Sequence, residues 1–383
     1  MLTRIAVRGS AFECGRQHGL MARKQVLGSR RVYAALFASV GIDWPTACAR
    51  AWRFREPIAD LYPALFSELL GIAAGSGLRL DEVLALNART ELLPASFPAG
   101  AETDRNRTNA VERTAGLPAS LAEGECTSIA VAGSRMLDGN TRVAQNWDWI
   151  GAQRTHVLLV SVDKPDGASL TLITEAGMLA KIGFNQAGLA IGLNILRAVG
   201  DGARELGIPV HVFQRAALEC ATVAEVVALA RHTPFAASSN AILGDATGQV
   251  GALEYSHGGS ATVAAEDGVV LHTNHFCAHE LCALQAPLDA MPTSEPRLAR
   301  ARAITSGWPA RIGPEAIEAL LADREGPAEG AIARRPDQAV APEARVETVL
   351  GVVIDCVDRR LRVASGVPGE VAFAPVSALA TTG

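Results

Sequence analysis

Residues 124–131 read GECTSIAV, and they separate two stretches of different character. Immediately before them, residues 94–125 (PASFPAGAETDRNRTNAVERTAGLPASLAEGE) are dense in Pro, Gly, Thr, Asn and charge. That composition marks a linker. Its length points to a lid, a processing segment or disorder rather than an ordinary connection. From Cys126 onward short β-rich runs follow at 126–131, 143–147, 157–162 and 170–174. Lys164-Pro165-Asp166-Gly167 sits between two of them as a hairpin turn. Two further strands flank Asn185-Gln186-Ala187-Gly188. Helices are predicted at 210–218, with Pro209 at the first helical position, and at 223–230. Strands resume at 241–244, 251–255 and 269–272, helix returns over 295–321, and a hairpin of 348–355 with 360–364 closes the chain. Strands, a helical pair and more strands predict antiparallel sheets covered by helices, an α+β fold. No regular βαβ alternation supports a doubly wound sheet or an α/β barrel.

Upstream of the linker the pattern is helical. After a short opening strand at 3–7, apolar residues recur at helical spacing over 11–40 and 58–73. Asp81 precedes another such run through Leu92 and reads as its N-cap. No internal repeat is evident.

Composition narrows the function. The chain has 383 residues, 49% hydrophobic and 20% charged, so it can bury a sizeable core. Mean hydropathy is +0.18, yet no run reaches the roughly 18–20 apolar residues that a membrane span needs. The formal charge of −5 argues against a nucleic-acid surface. The opening MLTRIAVRGSAFECGRQHG lacks the features of a secretory signal, so a cytoplasmic location is expected. Seven cysteines, at 14, 48, 126, 220, 277, 282 and 356, show no CxxC pair or zinc spacing.

Most familiar catalytic signatures are missing. There is no GxxxxGK[ST], GxGxxG, HExxH or GxSxG pattern. His257-Gly258-Gly259 reads as a hairpin turn. His272 and His275 end a strand without an accompanying carboxylate motif, which is poor metal-site chemistry. Asn106-Arg107-Thr108 is a glycosylation sequon only in a secreted chain.

Cys126 is different because it stands where a linker gives way to a strand. A thiol there can attack the carbonyl of the preceding residue, and the resulting thioester hydrolyses to free a new N-terminus. That terminus carries both a nucleophilic thiol and an α-amine, whose ordinary pKa of roughly 7.7–8.0 suits a general base. No Cys/His pairing is then needed. An ordinary buried cysteine is the competing reading.

GECTSIAV followed by AQNWDW (144–149) resembles the acyl-coenzyme A:6-aminopenicillanic acid acyltransferase (isopenicillin-N acyltransferase-like) family of self-processing N-terminal nucleophile (Ntn) hydrolases. FECGRQHG (12–19), LNARTEL (86–92), KIGFNQAGLAIGLNIL (181–196), GIPVHVFQRAALE (207–219), LHTNHF (271–276) and RVETVLGVVID (345–355) extend the likeness, in order, over most of the chain. The resemblance implies a four-layer αββα sandwich. It also implies cleavage between Glu125 and Cys126 into an α fragment, 1–125, and a β fragment, 126–383, that stay associated.

By the same resemblance Cys126 is the nucleophile and Asp148 the acidic residue of NWD. Asn274 is an oxyanion-hole or substrate-orienting amide, and Arg345 an active-site arginine. Glu125 departs from the family pattern, which has Gly there. The implied reaction passes an acyl group from a small-molecule amide or thioester to water or an amine, with no metal or organic cofactor and no nucleic-acid or membrane partner. A non-catalytic binding or scaffold protein on the same fold is the alternative, and a thiol redox protein a third reading.

Overall fold

The computed structural model describes residues 2–93, 126–165, 169–201, 207–288, 291–327, 330–341 and 345–377. The linker at 94–125, with Glu125, lies outside the described residues. Two sheets form the centre. In the eight-stranded sheet the order is β1 (Thr3–Arg8), β4 (Val157–Asp163), β5 (Leu170–Glu175), β6 (Ile182–Asn185), β7 (Ala190–Ile195), β8 (Ser239–Gly244), β9 (Val250–Ser256) and β10 (Gly259–Ala264). The six-stranded sheet runs β11 (Val269–His272), β2 (Cys126–Val131), β3 (Arg142–Ile150), β12 (Val346–Asp355), β13 (Arg360–Ala364) and β14 (Ala374–Val376). All strand pairs are antiparallel except β1 with β4. Among the described residues, the only strand from upstream of the linker is thus an edge strand of a sheet otherwise built downstream of it.

Strand alternation explains the layering. On β2, Cys126 and Ala130 belong to the core between the sheets, whereas Ile129 and Val131 belong to a separate core beneath helices. Those outer helices are Ser294–Ser306 and Pro314–Leu321, which contribute Leu298, Ala301, Ile317 and Leu320. The helices before the linker, with Val210–Ala217 and Val223–Ala230, pack into the larger core. The arrangement is the expected αββα sandwich. No single helix among the described residues is long and apolar enough to cross a membrane.

Helix α1 (Ala11–Met21) begins at a Ser10 capping box, in which Glu13 N donates to Ser10 Oγ and Ser10 N to the Glu13 carboxylate. It packs backbone to backbone on the helix Pro63–Ser76. A Cβ on Gly15 would stand 2.0 Å from the Glu68 carbonyl oxygen, and one on Gly71 would stand 2.1 Å from that of Phe12. Substituting Gly15→Ala should therefore push the helices apart and cost about 1–3 kcal/mol, the usual penalty of overpacking, read as a lower urea midpoint.

Local expectations differ at a few points. The helix predicted from Asp81 runs Leu80–Asn87, and its cap is Arg79, whose N–H is held by Glu82 at 3.1 Å. Asp81 falls in the first turn, and the run breaks at Ala88 before a short helix, Arg89–Leu92. Pro209 is the extended N-cap rather than the first helical residue, with ψ of 147°. Strands β10 and β14 are unforeseen edge strands. β10 carries only half-covered and exposed residues, which leaves no apolar run to read.

Candidate active site

Cys126 opens β2 and pairs with Trp147 on β3. Alternation turns Cys126, Ser128, Gln145 and Trp147 toward the eight-stranded sheet. Gln145 Oε1 there accepts Leu193 N–H at 2.8 Å, and Ser128 Oγ donates to Asn194 Oδ1 at 2.6 Å. Thr127, Asn146 and Asp148 face the helices. Asn146 Nδ2 donates to the carbonyls of Leu321 (2.7 Å) and Ile332 (2.8 Å), binding the strand to that layer.

A polar collar fixes the backbone of Cys126. Its N–H donates to Asn274 Oδ1 at 2.8 Å, and its carbonyl accepts from Arg297 Nη1 at 2.8 Å and Asn194 Nδ2 at 3.1 Å. Arg297 also donates to Asn274 Oδ1 (2.9 Å) and Thr127 Oγ1 (2.8 Å). Asn274 is held in turn: its N–H donates to Ser294 Oγ and its Nδ2 to the Ile195 carbonyl. Its oxygen, not its amide hydrogens, thus faces the nitrogen that cleavage would free.

The thiol itself is almost fully buried. Burial, then the nearby charge of Asp148, push its pKa up to about 11. Lys181, the Asp148 backbone N–H and Gln145 pull the other way. The Asp148 side chain is anchored by Thr348 Oγ1, which donates to Oδ1 at 2.6 Å. Thr348 is locked to buried Arg334 by two hydrogen bonds, Arg334 N to Thr348 Oγ1 and Thr348 N to Arg334 O.

The structure brings Cys126, Asp148 and Asn274 together, but Arg345 points elsewhere. Its Nε and Nη2 donate to the carbonyls of Val340 (2.8 Å) and Gln338 (3.1 Å). The ladder gives the reason. Arg345 precedes Val346, which pairs with Ile150, whereas Cys126 pairs with Trp147. Arg345 therefore lies at the rim of the sheet, several residues from the nucleophile. The guanidinium touching Cys126 belongs to Arg297. In SEPRLARAR its sequence context matches that of an exposed basic helix face, so only its burial distinguishes it.

A second group unforeseen from sequence lies beside the thiol. Glu175 receives Lys181 Nζ at 2.8 Å, Arg89 Nη2 at 3.4 Å and the Tyr33 hydroxyl. Trp149 Nε1 donates to that hydroxyl at 3.0 Å. Lys181 Nζ lies 3.7 Å from the Trp147 ring centre and Arg89 stacks over Trp149 at 4.3 Å. All four charged or hydroxylic side chains are buried. Burial opposes ionisation of Glu175, but Arg89 and Lys181 outweigh it and hold its carboxyl at about 2. Burial of Lys181 prevails over Glu175 and lowers the ammonium to about 7. The cluster joins Tyr33 and Arg89, from upstream of the linker, to Glu175 and Lys181 downstream. The sequence clue was a charge inside an apolar run, as in MLAKIGF.

Comparison with known proteins places the chain in a family. Acyl-coenzyme A:6-aminopenicillanic-acid-acyltransferase 40 kDa form of Emericella nidulans is 27% identical over 375 residues, covering 96% of this chain and 93% of that protein. Among solved structures, penicillin V acylase from Agrobacterium tumefaciens is 17% identical with a TM-score of 0.41, over 63% of this chain and 82% of its own. A variant of conjugated bile acid hydrolase from Clostridium perfringens is 12% identical with a TM-score of 0.44, over 67% of this chain and 99% of its own. The sequence model for acyl-coenzyme A:6-aminopenicillanic acid acyl-transferase matches residues 136–370, more than half of the chain. With a match of that extent, the chain belongs to the acyl-coenzyme A:6-aminopenicillanic acid acyl-transferase family.

Proposed function

We propose that the protein is a self-cleaving cysteine amidohydrolase or acyltransferase, cut between Glu125 and Cys126 and acting through an acyl-enzyme on Cys126. The observation that carries this reading is the bond from Cys126 N to Asn274 Oδ1 beside a buried thiol. In the precursor, Cys126 Sγ attacks the Glu125 carbonyl carbon. The thiol proton passes to the departing Cys126 nitrogen as the C–N bond breaks. Water then hydrolyses the thioester, giving a Glu125 carboxylate and a free thiol.

With the α-amine free, the thiol no longer depends on its own acidity. The amine takes the Sγ proton, the thiolate attacks an amide or thioester carbonyl, and the ammonium returns the proton to the leaving group. Water or an amine then takes the acyl group from sulfur. Asn274 orients the amine, Arg297 fixes Asn274 and the Cys126 carbonyl, and Asp148 contributes its backbone N–H to the sulfur. Substrates are small acyl compounds, and the cytoplasm is the proposed site of action. Fragments 1–125 and 126–383 remain together through the β1–β4 ladder and the Glu175 cluster.

A denaturing gel tests this. Wild type should give two bands, the smaller holding 125 of the 383 residues, and the larger should begin at Cys126 by mass spectrometry. Cys126→Ala should give one band and no turnover. An active preparation with an intact bond between 125 and 126 sinks the proposal, because the amide nitrogen cannot act as base.

A further inference from the structure

Away from the Cys126 thiol, Glu254 on β9, His272 on β11 and Cys277 bring a carboxylate oxygen, an imidazole nitrogen and a sulfur within 4.8 Å of one another. The hydrogen bonds define their states. His272 Nδ1 lies 2.9 Å from the Thr273 carbonyl, which can only accept, so Nδ1 carries a proton. Nε2 lies 2.7 Å from Glu254 Oε1. That carboxylate already accepts N–H from Cys277 at 2.6 Å and Ala278 at 3.1 Å. A ring that donates from Nδ1 to a carbonyl and from Nε2 to a carboxylate is an imidazolium, and it stands beside the Cys277 sulfur. The 2.7 Å Nε2–Oε1 separation is that of a hydrogen bond, too short for two ligands sharing one metal ion at roughly 2.0–2.2 Å each.

We propose that Cys277 is a second reactive thiolate, activated by the His272–Glu254 pair and open to alkylation and to oxidation by hydrogen peroxide. Unlike Cys126 it is only partly buried. The other thiols point the opposite way. Burial raises Cys14 and Cys48 to about 12, Cys220 and Cys126 to about 11, and Cys356 further. Cys282, though exposed, is also raised, by its partial burial first and then by Glu254, Cys277 and Glu280. At Cys277 burial opposes ionisation, but the positive charge of His272, with His275 beside it, brings it down to about 6. The titratable groups facing it are thus Glu254 on β9, His272 on β11, His275 in the same loop, and Cys282 in the turn that follows, and the sulfur also lies 3.7 Å from the His275 carbonyl. In oxidation, the Cys277 sulfur attacks one peroxide oxygen. The O–O bond breaks, hydroxide leaves, and sulfur loses two electrons to become a sulfenic acid.

The test uses the full chain with Cys126→Ala, so that the proposed nucleophile does not compete. Limiting iodoacetamide between pH 5 and 9, followed by peptide mass spectrometry, should label Cys277 first, with a midpoint near pH 6. Glu254→Gln or His272→Gln should move that midpoint toward the ordinary thiol value of about 8.5 and slow labelling at pH 7 at least several-fold. Because these variants remove buried groups, wild-type protein supplies an independent measurement. Dimedone after hydrogen peroxide should tag residue 277, and Cys277→Ser should lose that tag. Labelling of Cys277 no faster than Cys282 at pH 6.5, or a midpoint at pH 8 or above in the Cys126→Ala chain, overturns the proposal.

Discussion

Replacing Glu175 by Gln is expected to destabilise the protein by about 3–5 kcal/mol, the cost of leaving buried charge without its partner. Arg89 cannot shed its proton, and Glu175 is the carboxylate that meets both it and Lys181. Urea unfolding should show the loss as a lower midpoint. Adding Arg89→Met to Glu175→Gln should recover part of it, because the stranded cation is then gone. The loss also depends on pH. The carboxyl is depressed to about 2 from an unfolded value near 4.5, so its contribution is complete above pH 4.5 and fades as pH falls toward 2. The gap between wild type and Glu175→Gln should close over that interval. A variant as stable as wild type at pH 7 would mean that the cluster is not a structural centre.

Asn274→Ala is expected to lower kcat of the processed enzyme by about 10²-fold, the scale seen when a reacting group is left misplaced by about 1 Å. KM should change little, because Asn274 contacts Cys126, Arg297 and Ile195 rather than an outer surface. Cleaved protein must be quantified first and rates expressed per new N-terminus. Full activity per cleaved molecule would remove Asn274 from the amine-orienting role. Arg297→Met should act in the same direction through the same contact. Arg345→Met should leave turnover near wild type, since that guanidinium binds the carbonyls of 338 and 340.

Much of the fold was legible because its strands alternate and its helices carry apolar periodicity. The runs at Cys126–Val131, Val223–Ala230 and Val269–His272 lie where the pattern put them. Edge strand β10 was not legible because half-covered positions carry little apolar signal. Helix starts near Asp81 and Pro209 were misplaced by one or two residues, because a cap depends on which side chain reaches a backbone N–H. In the candidate site, Cys126, Asp148 and Asn274 came from a recognisable resemblance, and two of the three lie on strands of one sheet. Arg297 was not legible. It reaches Cys126 from a helix 171 positions later, and short-range pattern holds no record of that approach. The same holds for Glu175, Lys181, Arg89 and Tyr33, which meet only after both sides of the linker have folded.

The parallel seam between β1 and β4 bears on what happens after denaturation. While the backbone is continuous, strand and sheet find each other as parts of one molecule, at the high local concentration of a tether. Severed, the pieces would have to meet by diffusion. A mature sample that is unfolded and diluted should recover slowly and in proportion to its concentration, while an uncut Cys126→Ala chain renatures at a rate independent of dilution.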